Sequence, residues 1–388
     1  MTQTTATSLY SDIQMKTSLD LQYKVFDWLR FPLIVGVVFI HSFGQPFDFS
    51  AIDFGQLSGM DCYNLFRVGI SKVLTHVCVP TFYLISGYLF FVGLEKWDNN
   101  IYLRKLKNRC KSLLLPFLIW NTIALVLPLL GAFIHEGWLG MQDFLQEHGY
   151  WHLYWDSNQW NLDRTNLLGG GNSASSPYLV PLWFLRDLMV VIVCSPILYF
   201  LFKKLKSWGL LLLAICYISG VFINKPGFST TAFLFFGAGA YFKMNNIDLT
   251  KISYRYHIAI YLLAFVLWIA CTMLNGHETK EGDLIYPFYV ITGCIALLNL
   301  STCIVDKGLI KIPQLCTKGA FFIYLLHTIM ALRIAKTVAL RLFGDTNPLL
   351  MTIGYMSVPV MTVVVCLIVY YVLNKYTPSL CKMLVGGR

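Results

Sequence analysis

Three polar residues inside one apolar stretch are the clearest candidates for chemistry. In FDWLRFPLIVGVVFIH, Asp27, Arg30 and His41 stand at intervals of three and eleven residues. Eleven residues carry an α-helix through three turns plus about 20°, so all three share one face, with His41 roughly 16 Å along the axis from Arg30. A guanidinium offers forked hydrogen bonds to anionic oxygens, and an imidazole, titrating at about 6.5, can take a proton from a hydroxyl. The face therefore joins an anion site to a base. Taken singly, Asp27 and Arg30 also fit an interfacial anchor with snorkelling side chains, and His41 fits a satisfied bundle histidine.

Further polar residues interrupt later apolar stretches: His76, Ser86 with Gly87, Arg186 with Asp187, His327, Arg333 and Lys336. An ionised group at the centre of a membrane helix costs about 2.5 to 3.5 kcal/mol, so each is a functional candidate. The bland reading for His76, Arg186 and Lys336 is solvation at headgroup level. Pro80 and the pair Ser86 and Gly87 can bend a helix and expose backbone to a ligand; Gly87 alone serves equally for tight helix packing. Residues 135 to 179 hold Trp138, Tyr150, Trp151, Tyr154, Trp155 and Trp160 among His135, His148 and His152. Such rings can stack on sugars or form an interfacial aromatic belt.

The elements that must position these residues follow from composition. Hydrophobic residues make up 56% of the chain and charged ones 13%, against about one charged residue in four in soluble domains. The sequence predicts an all-α fold, a polytopic transmembrane helical bundle of about ten spans: residues 26 to 46, 70 to 92, 113 to 134, 180 to 202, 208 to 223, 229 to 243, 257 to 274, 285 to 300, 317 to 342 and 349 to 373. The fifth, sixth and eighth are short. Bases concentrate in alternate connections: Lys96 to Lys111, Lys203 to Lys206, Lys243 to Arg255 and Lys307 to Lys318. The positive-inside rule makes those connections and both termini cytoplasmic. The expected organisation is a cytoplasmic segment 1–25, a membrane domain 26–373 with an outer loop at 135–179, and a cytoplasmic tail 374–388. The sequence ends soon after the tenth span, so the chemistry is expected of the membrane domain.

The net charge of +10 is read as a topology signal, and no nucleic-acid partner is expected because the bases are scattered over separate loops. Residues 1 to 20 lack the basic-then-apolar order of a cleavable leader. The stretch GGGNSASS, from Gly169 to Ser176, reads as a flexible loop. No C-x-x-C spacing appears among the eleven cysteines, so neither a metal nor structural disulfides are expected. The fingerprints of serine hydrolases, zinc proteases and nucleotide-driven pumps are missing.

The residues from about 24 to 373 resemble the acyltransferase-3 family, bacterial membrane O-acyltransferases of extracytoplasmic carbohydrates. The likeness rests on Asp27, Arg30 and His41, on VPTFYLISGYLFF (79 to 91), LLLPFLIW (113 to 120), PLWFLRDL (181 to 188) and FFIYLLH (321 to 327). An R-x-x-R motif carried by some members before the third span is replaced by RKLKNRCK, Arg104 to Lys111.

The resemblance implies ten spans in the bacterial cytoplasmic membrane, an acyl-CoA donor (acetyl-CoA expected) entering from the cytoplasm, and a glycan acceptor met outside. It implies catalytic roles for Arg30 and His41. Donor phosphates would fall to Arg30, Lys107, Arg109 and Lys111, and acceptor binding to His76, Ser86, Trp183, Arg186 and His327. Ser86, Asn121 or a backbone N–H could stabilise the oxyanion. Direct transfer with His41 as base competes with an acyl-histidine intermediate. A transporter or flippase using the same polar groove, and a non-catalytic scaffold, are the alternatives from other classes.

Overall fold

The computed structural model describes residues 3–94, 96–165, 171–223, 225–252, 254–276 and 278–387. The side chains of His148, Trp160 and Arg164, and all of Gly169 and Gly170, lie outside the described residues. Helix α1, Gln3–His41, leads into α2, Gly59–Arg67, which continues through a π-helical turn, Val68–Val73, and a 3-10 turn, Leu74–Val77, into α3, Cys78–Phe91. Then come α4, Asn99–Arg109, α5, Leu115–His148, the short α6, His152–Trp155, and an antiparallel pair of strands, β1, Asn158–Thr165, and β2, Gly171–Ser176. Helices α7, Trp183–Val193, α8, Ser195–Leu205, α9, Ser207–Ser219, α10, Thr230–Met244, and α11, His257–Met273, follow. The chain closes with α12, Lys280–Asp306, α13, Gln314–Leu326, a π-helical turn, His327–Ala331, α14, Leu332–Phe343, α15, Pro348–Tyr376, and α16, Pro378–Leu384.

Among the described residues, five helical stretches are long and apolar enough to cross a bilayer: Gly59–Phe91, Asn99–Glu147, Lys280–Asp306, Gln314–Phe343 and Pro348–Tyr376. The pair Val180–Val193 and Ser195–Leu205, bent by 56° at Cys194, makes a sixth if it counts as one span. The expected fourth span is thus broken, because Pro196 in the first turn of α8 has no N–H to continue the ladder of α7. The eighth expected span, read as short, is a 27-residue helix. Large apolar side chains cover the outside, with Leu127, Ile134, Leu262 and Val360 each at least 60% exposed, a surface that only lipid can solvate.

Helix packing explains Gly87. Helices α3 and α10 cross in backbone contact there, where a Cβ on Gly87 would overlap the carbonyl of Phe236, and one on Gly239 the carbonyl of Leu84. Helix α3 runs unbroken past Ser86 and Gly87, and the irregular backbone lies before Pro80, in residues 68 to 77. Pro80 crowds the carbonyl four residues earlier, that of His76, which displaces the distortion N-terminally.

The expected outer loop is structured. Gly137 takes φ 66° and ψ −150°, a conformation open to glycine, and α5 turns back there. The returning chain reaches the level of Asn121, whose Nδ2 donates to the Leu153 carbonyl at 2.9 Å while its Oδ1 accepts from the Leu179 N–H at 2.9 Å. The Gly171–Ser176 part of GGGNSASS, expected as a loop, is strand β2 paired with β1, since backbone pairing there needs no particular side chains.

Candidate functional site

The site forms where α1 ends. Its last carbonyls have no partners within the helix, and donors from three other elements meet them and the carbonyls of the segment that follows. Ser71 Oγ donates to the Phe39 carbonyl at 2.5 Å, Lys336 Nζ to that of His41 at 2.9 Å, and Arg67 Nη1 to those of Phe43 and Gln45 at 3.0 and 2.6 Å. Arg67 is itself buried over the rings of Phe43 and Phe47, 4.5 and 4.7 Å from their centroids, and binds Asn64 Oδ1 through Nε. Cations suit the negative end of the helix dipole. Together these contacts fix the backbone that carries His41.

The His41 ring lies 5.2 Å, centroid to centroid, from that of His327, at 48°. His327 is fully buried at the start of the π-helical turn in the ninth expected span. Its Nδ1 faces two carbonyls, Ile323 at 3.1 Å and Tyr324 at 2.9 Å, while its Nε2 has no partner among the described residues. The Oγ1 of neighbouring Thr328 is likewise buried without a partner among them. A π-helical turn shifts the register of everything after it and is frequent at functional sites. His76 lies in the 3-10 turn that follows the π-helical stretch Val68–Val73, hydrogen-bonded through Nδ1 to the Tyr286 hydroxyl. It stands within electrostatic range of His41. His41, His76 and His327 are thereby gathered from three elements, each at a helix end or irregularity.

The start of α7 abuts the anchor of His327, the Phe184 ring lying 5.9 Å from that of Tyr324. Arg186 is buried with all its donors engaged: Nε and Nη2 to Asp187 Oδ1, both at 2.9 Å, Nη1 to the Trp155 carbonyl and Ser175 Oγ at 2.7 and 3.1 Å, and Nη2 to the Ser175 carbonyl at 3.0 Å. It staples α6 and β2 onto α7. Trp183 is half-buried at the start of α7, and Ser86 is half-buried on α3. Asn121 has its amide oxygen and one N–H committed to the returning loop.

About three turns before His41 on α1, Arg30 is exposed and paired with Asp27 at 3.1 Å. Ile34, Val37 and Val38, between Arg30 and His41 on the helix, are packed into the core. A cavity of about 210 Å³ is lined by Phe90, Lys105, Asn108, Arg109 and Ser112. Of the bases expected there only Arg109 lines it. Lys107 and Lys111 are exposed, and Lys105, which the spacing did not single out, takes their place. The Lys336 cap and the His76–Tyr286 bond likewise left no mark on any local pattern.

The acyltransferase-domain family matches residues 23–371, and the chain belongs to that family. Succinoglycan biosynthesis protein ExoH of Rhizobium meliloti (strain 1021) is 30% identical over 249 residues, which cover 62% of this chain. The chain thus spans 60% of that relative's length. No solved structure matches it.

Proposed function

We propose that the chain is a membrane O-acyltransferase of the bacterial cytoplasmic membrane, moving an acyl group, acetyl in our reading, from cytoplasmic acyl-CoA to a hydroxyl of an extracytoplasmic or lipid-linked glycan. The observation that carries this reading is the meeting of His41 with the buried, partly unpartnered His327 beside a cationic helix cap. Family membership supplies the reaction class, and the relative's printed role in succinoglycan biosynthesis supports a polysaccharide acceptor.

In this mechanism His41 takes the proton of an acceptor hydroxyl as that oxygen attacks the thioester carbonyl. The C–S bond then breaks and the departing thiolate recovers the proton from His41. Lys336, Arg67 and the imidazolium itself offset the negative charge that develops on the carbonyl oxygen. The donor phosphates would sit at the cavity of Lys105 and Arg109, with Arg30, Lys107 and Lys111 attracting them. His76, Ser86, Trp183 and His327 would face the acceptor side.

The proposed arrangement has ten spans, both termini cytoplasmic, a membrane domain 26–373 and flanking segments 1–25 and 374–388. Contacts of the terminal segments and the first span with base-rich connections support it: Trp28 Nε1 binds the Ile310 carbonyl at 3.1 Å and Gln22 Oε1 accepts from the Leu249 N–H at 2.9 Å.

Purified protein given radiolabelled acetyl-CoA and membrane lipid extract is expected to transfer or hydrolyse the acetyl group. His41→Ala should still bind coenzyme A while losing turnover on the order of 10²- to 10⁴-fold. Near-normal turnover removes His41 from the mechanism, and solute flux without turnover makes the protein a transporter.

A further inference from the structure

His327 combines three properties that no packing role requires: complete burial, one ring nitrogen anchored to backbone, and the other without a partner among the described residues. Carbonyl oxygens only accept hydrogen bonds, so Nδ1 must carry the proton that Ile323 and Tyr324 receive. In the neutral ring that leaves a lone pair on Nε2. A buried acceptor left unmade costs about 1 to 3 kcal/mol and calls for an explanation. A donor can come from the His41 imidazole, whose ring centroid is 5.2 Å away and which, among the described residues, has no side-chain hydrogen bond of its own.

We propose that His327 is a positioning residue that fixes the tautomer of His41 by accepting its N–H on Nε2. The consequence is chemical. One nitrogen of His41 is committed to His327, so the other must present its lone pair, the form a general base or nucleophile needs. When His41 gains a proton, the imidazolium keeps its bond to His327 and its charge is shared within a buried site. The anchor is rigid because the carbonyls belong to the last turn of α13, immediately before the π-helical turn. Lys336 is held at the His41 carbonyl. His76 is engaged with Tyr286 through Nδ1.

The inference deepens the proposed function, resting on it for the catalytic meaning but not for the tautomer itself, so it is tested by nitrogen-15 resonances of labelled histidine in the detergent-purified protein. At alkaline pH, where both imidazoles are neutral, wild-type His41 should show a single tautomer. His327→Phe should turn it into a mixture, and His327→Gln, whose amide oxygen can accept in place of Nε2, should restore the single form. Turnover should follow the same order, falling about 10²-fold in His327→Phe and only a few-fold in His327→Gln, with affinity for coenzyme A unchanged in both. A mixed tautomer in the wild type, or a single one that survives His327→Phe, overturns the proposal. Should His327→Phe not fold, the wild-type and His327→Gln spectra decide it alone. A tautomer that responds as expected in a protein with no transfer activity keeps the positioning role and defeats only the acyltransferase reading.

Discussion

At the residue scale, Arg30 and His41 of α1 sit in different surroundings. Arg30 is solvent-facing and its bond to Asp27 is a surface pair, which contributes at most about 1 kcal/mol. The pair therefore adds little to the fold. Arg30→Lys retains charge but loses the planar fork, so coenzyme A binding measured by calorimetry should weaken, and weaken further in Arg30→Ala. The Arg109→Gln variant, at the cavity, should lose about tenfold or more, the value of a hydrogen bond to a charged group. If all three variants bind like the parent, the donor enters elsewhere. The register of Asp27, Arg30 and His41 was legible because helical periodicity is local. The neighbour of His41 was not, since His327 reaches it only through the tertiary packing of α1 on α13. The stapling role of Arg186 was hidden for the same reason: its partners Trp155 and Ser175 come from a loop whose path back to α7 no periodicity records.

At the scale of elements, glycines and irregular turns do the positioning. The α3–α10 crossing brings backbone to backbone at Gly87 and Gly239, and a methyl at either must push the helices apart. Gly87→Ala should lower the thermal midpoint clearly, with a loss of about 1 to 3 kcal/mol typical of overpacking. Gly131→Ala, where an added methyl meets nothing within 4 Å, serves as the control. Equal midpoints in the two variants would mean that the crossing relaxes without strain. The helical segments were legible from hydropathy, but the π-helical turns at 68–73 and 327–331 were not. Such turns arise when tertiary contacts reward a side chain's displacement by one residue, and the local sequence of a π-turn looks like that of any apolar helix. The bend at Cys194 did leave a trace in Pro196, which hydropathy averaging conceals.

For the whole molecule, α1 meets the connections after α12 and α10 through Trp28 and Gln22, whereas Leu153 and Leu179 of the returning segment meet Asn121 of α5. Substituted-cysteine labelling decides the proposed orientation. With exposed Cys62 and Cys110 replaced by serine, an impermeant thiol reagent applied outside should modify Ser157→Cys and spare Asn99→Cys. The reverse pattern would invert the topology and remove the cytoplasmic donor from the mechanism.

The cap on α1 also has a consequence for biosynthesis. Lys336 and the carbonyl it holds are 295 residues apart in the chain, and His327 follows His41 at nearly the same remove. At about 5 to 20 residues per second, a ribosome needs roughly 15 to 60 s to reach one after making the other. The His41 carbonyl therefore waits for Lys336, and the His41 ring for its neighbour, long after the rest of the cap has been made. Chains released before residue 327 carry His41 with neither the ring beside it nor the ammonium beneath it. The order of synthesis itself withholds the finished site until almost the whole protein has been inserted.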